Sequence, residues 1–179
     1  DYHADVLDLL NLDKTAKIQL HVGGVYGNKQ KSMERFGKRH DDLDSKIKDR
    51  LVIENDDVSY SLKDCLDIHE MSDIPVLFDH FHHQVNDSRE DLKEALEKSS
   101  NTWKERDGIP MIDYSSQEPN EKPGKHVESI DIKDFNDFIE NSKPYDFDIM
   151  LEIKDKEKSA LKAVNIVKDD VRFYSPKIK

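Results

Sequence analysis

Five short apolar runs recur along the chain, at residues 17–20, 51–53, 75–78, 109–112 and 148–151, with stretches of helical period between them. A run of three or four residues is long enough for a strand and too short for a buried helix. A helix between successive strands returns the chain to its starting edge, so the strands are expected to pair in parallel. The class predicted is α/β. Eight such units need roughly 250 residues to close a (β/α)8 barrel, and the 179 residues here hold five. The expectation is a partial barrel of TIM-barrel type, one domain over residues 1–179 with about three N-terminal units ahead of Asp1, or else an open five-stranded sheet. A first residue other than Met agrees with the partial barrel.

The same periodicity places the helices. Residues 29–39 follow a glycine-rich turn, Gly23-Gly24-Val25-Tyr26-Gly27, which is no phosphate loop because it lacks the Gly-Lys-Ser/Thr ending. Ser61 stands three residues before Asp64, the spacing of a capping box, with Leu62, Leu66 and His69 following at helical intervals. Residues 89–106 read as one charged helix with Leu92, Ala95, Leu96 and Trp103 on its inner face. Residues 132–139 and 159–167 read as two more, Phe135 and Phe138 serving as core. Charged residues make up 37% of the chain, enough to suggest disorder if the apolar ones were scattered; grouped in runs, they predict a core. No run approaches the eighteen or so residues of a membrane span, and Asp1-Tyr2-His3 lacks the basic-then-apolar layout of a signal peptide. Cys65 is the single cysteine, which excludes an internal disulfide and a thiolate cluster and suits a reducing compartment, so the cytoplasm is expected.

The informative feature is the residue at the end of each run: His21, Glu54, Asp79, Asp113 and Glu152. With 39 acids and eight histidines in the chain, one such hit means little, since strands often end in a polar residue where they meet water. Five in succession form a pattern. Parallel strands place their C-terminal ends on one face, so these side chains are expected to converge. Acids gathered in a partly dry site cannot stay ionised together without cations, and a divalent metal resolves the conflict. Asp79-His80-Phe81-His82-His83 adds three imidazoles to one of the acids, and the mixture of imidazole and carboxylate suits Zn, Mn or Fe. His126, in the loop Lys122-Pro123-Gly124-Lys125-His126, reads by itself as a solvated loop residue; His3 and His69 fall on helices and His40 in a charged connection.

Five blocks together resemble the UV damage endonucleases: Leu20-His21-Val22-Gly23-Gly24-Val25-Tyr26-Gly27, Ile53-Glu54-Asn55-Asp56-Asp57, Phe78-Asp79-His80-Phe81-His82-His83, Asp113-Tyr114-Ser115-Ser116, and Leu151-Glu152-Ile153-Lys154-Asp155-Lys156-Glu157. The similarity covers residues 2–167 and corresponds to the C-terminal two-thirds of such an enzyme. It implies a (β/α)8 barrel, related to endonuclease IV and the sugar isomerases, that carries two or three divalent ions, usually Mn2+ with Zn2+ or Mg2+ as alternatives, and nicks duplex DNA immediately 5′ to a UV photoproduct. Carried over by position, His21, Glu54, Asp79, His82, His126 and Glu152 match metal ligands. Asp113 stands where many members have histidine, and Met111 where some have a lysine that can be carboxylated, a function Met cannot supply. The early strands, with a further metal histidine and the residues that push into the duplex, are expected ahead of Asp1.

On this reading Glu54 and Glu152 are the catalytic carboxylates, and Tyr26, Lys29, Asn55, Lys125 and Lys154 the expected DNA contacts, with Lys31, Arg35, Arg39 and Lys122 nearby. Each lysine alone is as readily a solvated surface residue. The net charge of -11 argues against nucleic acid, but two or three bound ions would add about four to six positive charges where phosphate must sit. Two rival readings remain: a metal-dependent sugar isomerase or epimerase on the same barrel, and an inactive metal-binding fragment. No membrane partner is expected, and an unpaired first strand would invite self-association through the sheet edge.

Overall fold

The computed structural model describes residues 1–174. Five strands form one sheet, β1 (Ile18–His21), β2 (Leu51–Glu54), β3 (Val76–Asp79), β4 (Met111–Tyr114) and β5 (Asp148–Leu151), in that spatial order and parallel throughout. Neighbours in space are neighbours in sequence, with no reversal of order. A doubly wound open sheet needs such a reversal, whereas a barrel does not. The sheet is a curled half-barrel, which decides between the two architectures expected above. β2 and β3 are buried on both faces and are almost continuously apolar up to their last residue, as strands covered on both sides must be.

Helices α1 (Tyr2–Leu9), α2 (Lys29–Asp41), α3 (Ser45–Lys48), α4 (Leu62–Ser72), α5 (His80–Val85), α6 (Leu92–Ser100), α7 (Ile132–Asn141) and α8 (Glu157–Val167) alternate with the strands. Their starts are set by short polar side chains. Asn28 accepts from the Lys31 N–H, Asp91 from Glu94, and Asp131 from Lys133 and Asp134, while Ser61 and Asp64 form the expected reciprocal box. The inward faces of α4, α6 and α7 place Leu62, Cys65, Ile68, Ala95, Leu96, Phe135 and Phe138 against the sheet. At the opposite end from the acids, buried Arg50 donates to the carbonyls of Leu12, Asp13 and Ala16 and to Asp8, tying the segment after α1 to the start of β2.

Three expectations are corrected. The helix foreseen over residues 89–106 is α6 alone: Arg89 has a left-handed φ of 80°, Asp91 caps the start, and the chain leaves the helix at Asn101. Trp103 therefore lies beyond the helix, where its indole N–H donates to the Val76 carbonyl. The fourth strand begins at Met111 rather than residue 109, since Pro110 has no N–H for a ladder. His40 lies within α2 and is buried, not in a connection.

Candidate metal centre

Strand register brings the site together. His21 pairs with Glu54 and Asp79 with Asp113, so the ends of β1 to β4 lie side by side, with Glu152 directly after β5. Ligand atoms of Glu54, Asp79 and His82 lie within 4.8 Å of one another, and so do those of Asp79, Asp113 and Glu152. Asp79 belongs to both triads. Its local structure explains why: β3 runs into α5 without a loop, and Asp79 Oδ1 caps that helix by accepting from the His82 N–H. Capping consumes one oxygen and leaves Oδ2 buried without a hydrogen-bond partner, 3.1 Å from His82 Nδ1 but not aligned to receive from it. Asp113 Oδ1 is likewise buried and unpartnered. Two buried carboxyl oxygens without partners in one cluster are expensive unless a cation completes them, and a donor set of carboxylates and imidazoles fits a divalent ion.

The two histidines share one device. His82 Nδ1 lies 3.1 Å from the Asn55 carbonyl and His126 Nδ1 lies 2.9 Å from the Glu152 carbonyl. In His126 a proton on Nδ1 held by that carbonyl would leave Nε2 free to bind a metal; in His82 it is Nδ1 that also faces Asp79 Oδ2 at 3.1 Å and Glu54 Oε1 at 3.2 Å. The rings stand 5.6 Å apart. His126 Nδ1 is also 3.8 Å from Glu152 Oε2, and His21, half exposed, brings Nε2 to 3.8 Å from Glu54 Oε2. All seven foreseen ligand residues thus fall in one connected cluster. Of the other imidazoles beside Asp79, His80 is packed against Phe138 and Tyr114 in the core, where burial lowers its pKa to about 4, and His83 bonds the Glu90 carbonyl.

Electrostatics follow from burial. Asp113 is raised to about 8 by burial and by the charges of Glu54, Asp79 and Glu152. Asp79 is raised to about 7 by burial, with His82 opposing. Burial works against the charged ring of His82, but the hydrogen bond to Glu54 and the charges of Asp79 and Glu54 outweigh it and raise it to about 9. Burial also pushes Glu54 upward; hydrogen bonds from His82 and Gln19, with the neighbouring imidazole charges, hold it below its ordinary value. The surroundings thus favour the ionised form of Glu54 and the protonated forms of Asp79 and Asp113.

The foreseen DNA contacts are mixed. Tyr26 is 82% exposed, with φ 49°, and the Arg35 guanidinium lies 5.0 Å from its ring centre. Lys29 is paired with Asp64 at 2.6 Å and Lys125 with Glu121 at 2.6 Å. Lys122, Lys125 and Lys154 line an open cavity of about 670 Å³ together with His126 and Glu152. Asn55 is a correction: it is fully buried, and its amide donates to the Asp79 carbonyl and accepts the Asp79 N–H, so it is not presented to DNA. It splices the end of β2 to the end of β3 beneath the ligands. Gln19 was missed. Its amide lies between Glu54 and Asp113, and the signal was available in strand alternation, which turns Gln19 to the same face as His21.

A profile of the UV-endonuclease UvdE family matches residues 1–175. A UV DNA damage endonuclease of Clostridium perfringens (strain 13 / Type A) is 44% identical over 94% of this chain and 42% of its own length, and one of Bacillus cereus (strain Q1) is 36% identical over 92% and 52%. The chain spans about half the length of these curated relatives. The crystal structure of SacUVDE superposes with a TM-score of 0.87 at 49% identity, over 93% of this chain and 55% of that one. The matched range takes in all five strands: the chain belongs to the UV-endonuclease UvdE family.

Proposed function

We propose that this chain holds the metal centre of an endonuclease that nicks duplex DNA immediately 5′ to a UV photoproduct, as an opening step of excision repair. The observation that carries the reading is the pair of triads sharing Asp79, with two buried carboxylate oxygens left without partners. His21, Glu54 and His82 would hold ions on one side of Asp79, and Asp113, Glu152 and His126 on the other, Mn2+ being the ion we favour over Zn2+ or Mg2+. Such ions supply neutralisation of the phosphate charge and a more acidic water. Glu54, kept ionised by its hydrogen bonds, accepts the proton of the attacking water, and Glu152 is the second carboxylate for that transfer. Lys125 and Lys154, with Tyr26 and Lys29 across the same face, hold the DNA backbone. An open cavity walled by lysines suits a polyanion better than the closed polar pocket a sugar isomerase needs. The lone Cys65 is buried, in keeping with a reducing cytoplasm.

The test is incision of an end-labelled duplex carrying one photoproduct, by the intact protein with Mn2+. Glu54→Gln and Glu152→Gln are each expected to slow incision by about a hundredfold or more, with the duplex still bound, and chelation to abolish it. Equal incision by the complete protein and both variants would remove these carboxylates from the reaction; absence of incision by a complete barrel would remove the nuclease reading, whereas weak or no incision is expected of these 179 residues alone.

A further inference from the structure

Asp79 belongs to both triads as a candidate ligand, and Gln19 is bonded to one member of each. Its Nε2 donates to Glu54 Oε2 and to Asp113 Oδ2, at 2.5 Å in both cases. A carboxylate has two oxygens, and the amide occupies one on either side. Of the oxygens that remain, Glu54 Oε1 is 3.2 Å from His82 Nδ1, and Asp113 Oδ1 is buried without a partner. A side-chain amide has two hydrogens on one nitrogen and no net charge, so it can hold two anions at once without taking a cation's place. Lysine there would compete with the ions, and glutamate would repel both acids.

We propose that Gln19 is a positioning residue that restricts Glu54 and Asp113 to one ligating oxygen apiece and so sets the separation of two ion sites; the inference rests on the metal-centre reading above. Without the amide, either carboxylate can turn and grip a single ion through both oxygens. One ion would then draw on ligands that the geometry assigns to two.

The probe is manganese alone, titrated calorimetrically into the intact protein, with electron paramagnetic resonance of the loaded form. The unmodified protein is expected to take up two ions and show the exchange-coupled spectrum of a close pair. Gln19→Leu, with Gln19→Met as a second apolar replacement in case the first does not fold, is expected to weaken the second ion by about tenfold or more and to lose the coupled spectrum. A purely structural role would lower the melting temperature while leaving the affinity ratio and the spectrum as they were, and that result in either folded variant overturns the proposal. Failure of the unmodified protein to bind manganese would overturn the metal reading and Gln19's part with it, whereas two coupled ions in a protein that never incises DNA would overturn the nuclease reading alone.

Discussion

Asp79 shows how one residue can serve structure and site together: Oδ1 caps α5, and Oδ2 is left over in the centre. The same division has a cost that depends on pH. In the ion-free protein Asp79 and Asp113 titrate near 7 and 8, while in the unfolded chain such groups titrate near 3.8. The folded state therefore holds protons that the unfolded state has released, and stability falls as pH rises from 3.8 to about 8. His82 adds to the trend, because its charged form, favoured in the fold, contributes fully below 6.5 and is lost as pH rises through about 9. We expect the melting temperature of the ion-free protein to drop by roughly 5–10 °C between pH 6 and 9, measured by circular dichroism. Manganese should reverse the drop, with affinity climbing over the same interval as protons leave the acids. A melting temperature that rises over that interval without metal would contradict the burial of these two carboxyls.

At the level of elements, the centre depends on how segments leave the sheet. The direct passage from β3 into α5 delivers His82 within reach of Asp79, and the long connection between β4 and α7 delivers His126. That loop is pinned at Gly124, whose φ of +83° disfavours any other residue and where an added Cβ would press against the Asp57 carboxylate. Gly124→Ala is expected to cost about 1–3 kcal/mol in urea unfolding and to weaken manganese binding by displacing His126. An unchanged midpoint and unchanged binding would show that the loop accommodates the methyl group. His126 was legible only through the family resemblance, since a histidine in a polar loop carries no periodicity. The strand-end acids were legible from the residues alone, because the apolar run and the abrupt charge that ends it are both local. Asn55 was misread for the opposite reason: its neighbour Glu54 marks a strand end, but whether the next side chain turns outward or back under β3 is decided by the partner strand.

For the whole molecule, a net charge of -11 must coexist with the phosphate-binding role proposed above, and the acids that make up part of that charge are the ones the ions would neutralise. Within the described residues β1 pairs only with β2 and β5 only with β4, so the sheet has two edges, and Val164, Leu161 and Met150 are exposed on or near the β5 side. Unpaired edges and exposed apolar side chains favour association. These 179 residues alone are expected to self-associate with rising concentration in sedimentation velocity, and a single monomer boundary across that range would refute the expectation. The sequence by itself determined the α/β class, the approximate strands, the caps of α4 and the acids at the strand ends, because periodicity, capping and strand termination are interactions within a few residues of the chain. Only the tertiary structure decided that the sheet curls without reversing its order, that Asp79 is common to two triads, that Gln19 bridges Glu54 and Asp113, and that Asn55 joins the ends of β2 and β3. Those depend on which strand lies beside which and in what register, and contacts between residues some 24 to 94 positions apart leave no periodic trace in the sequence.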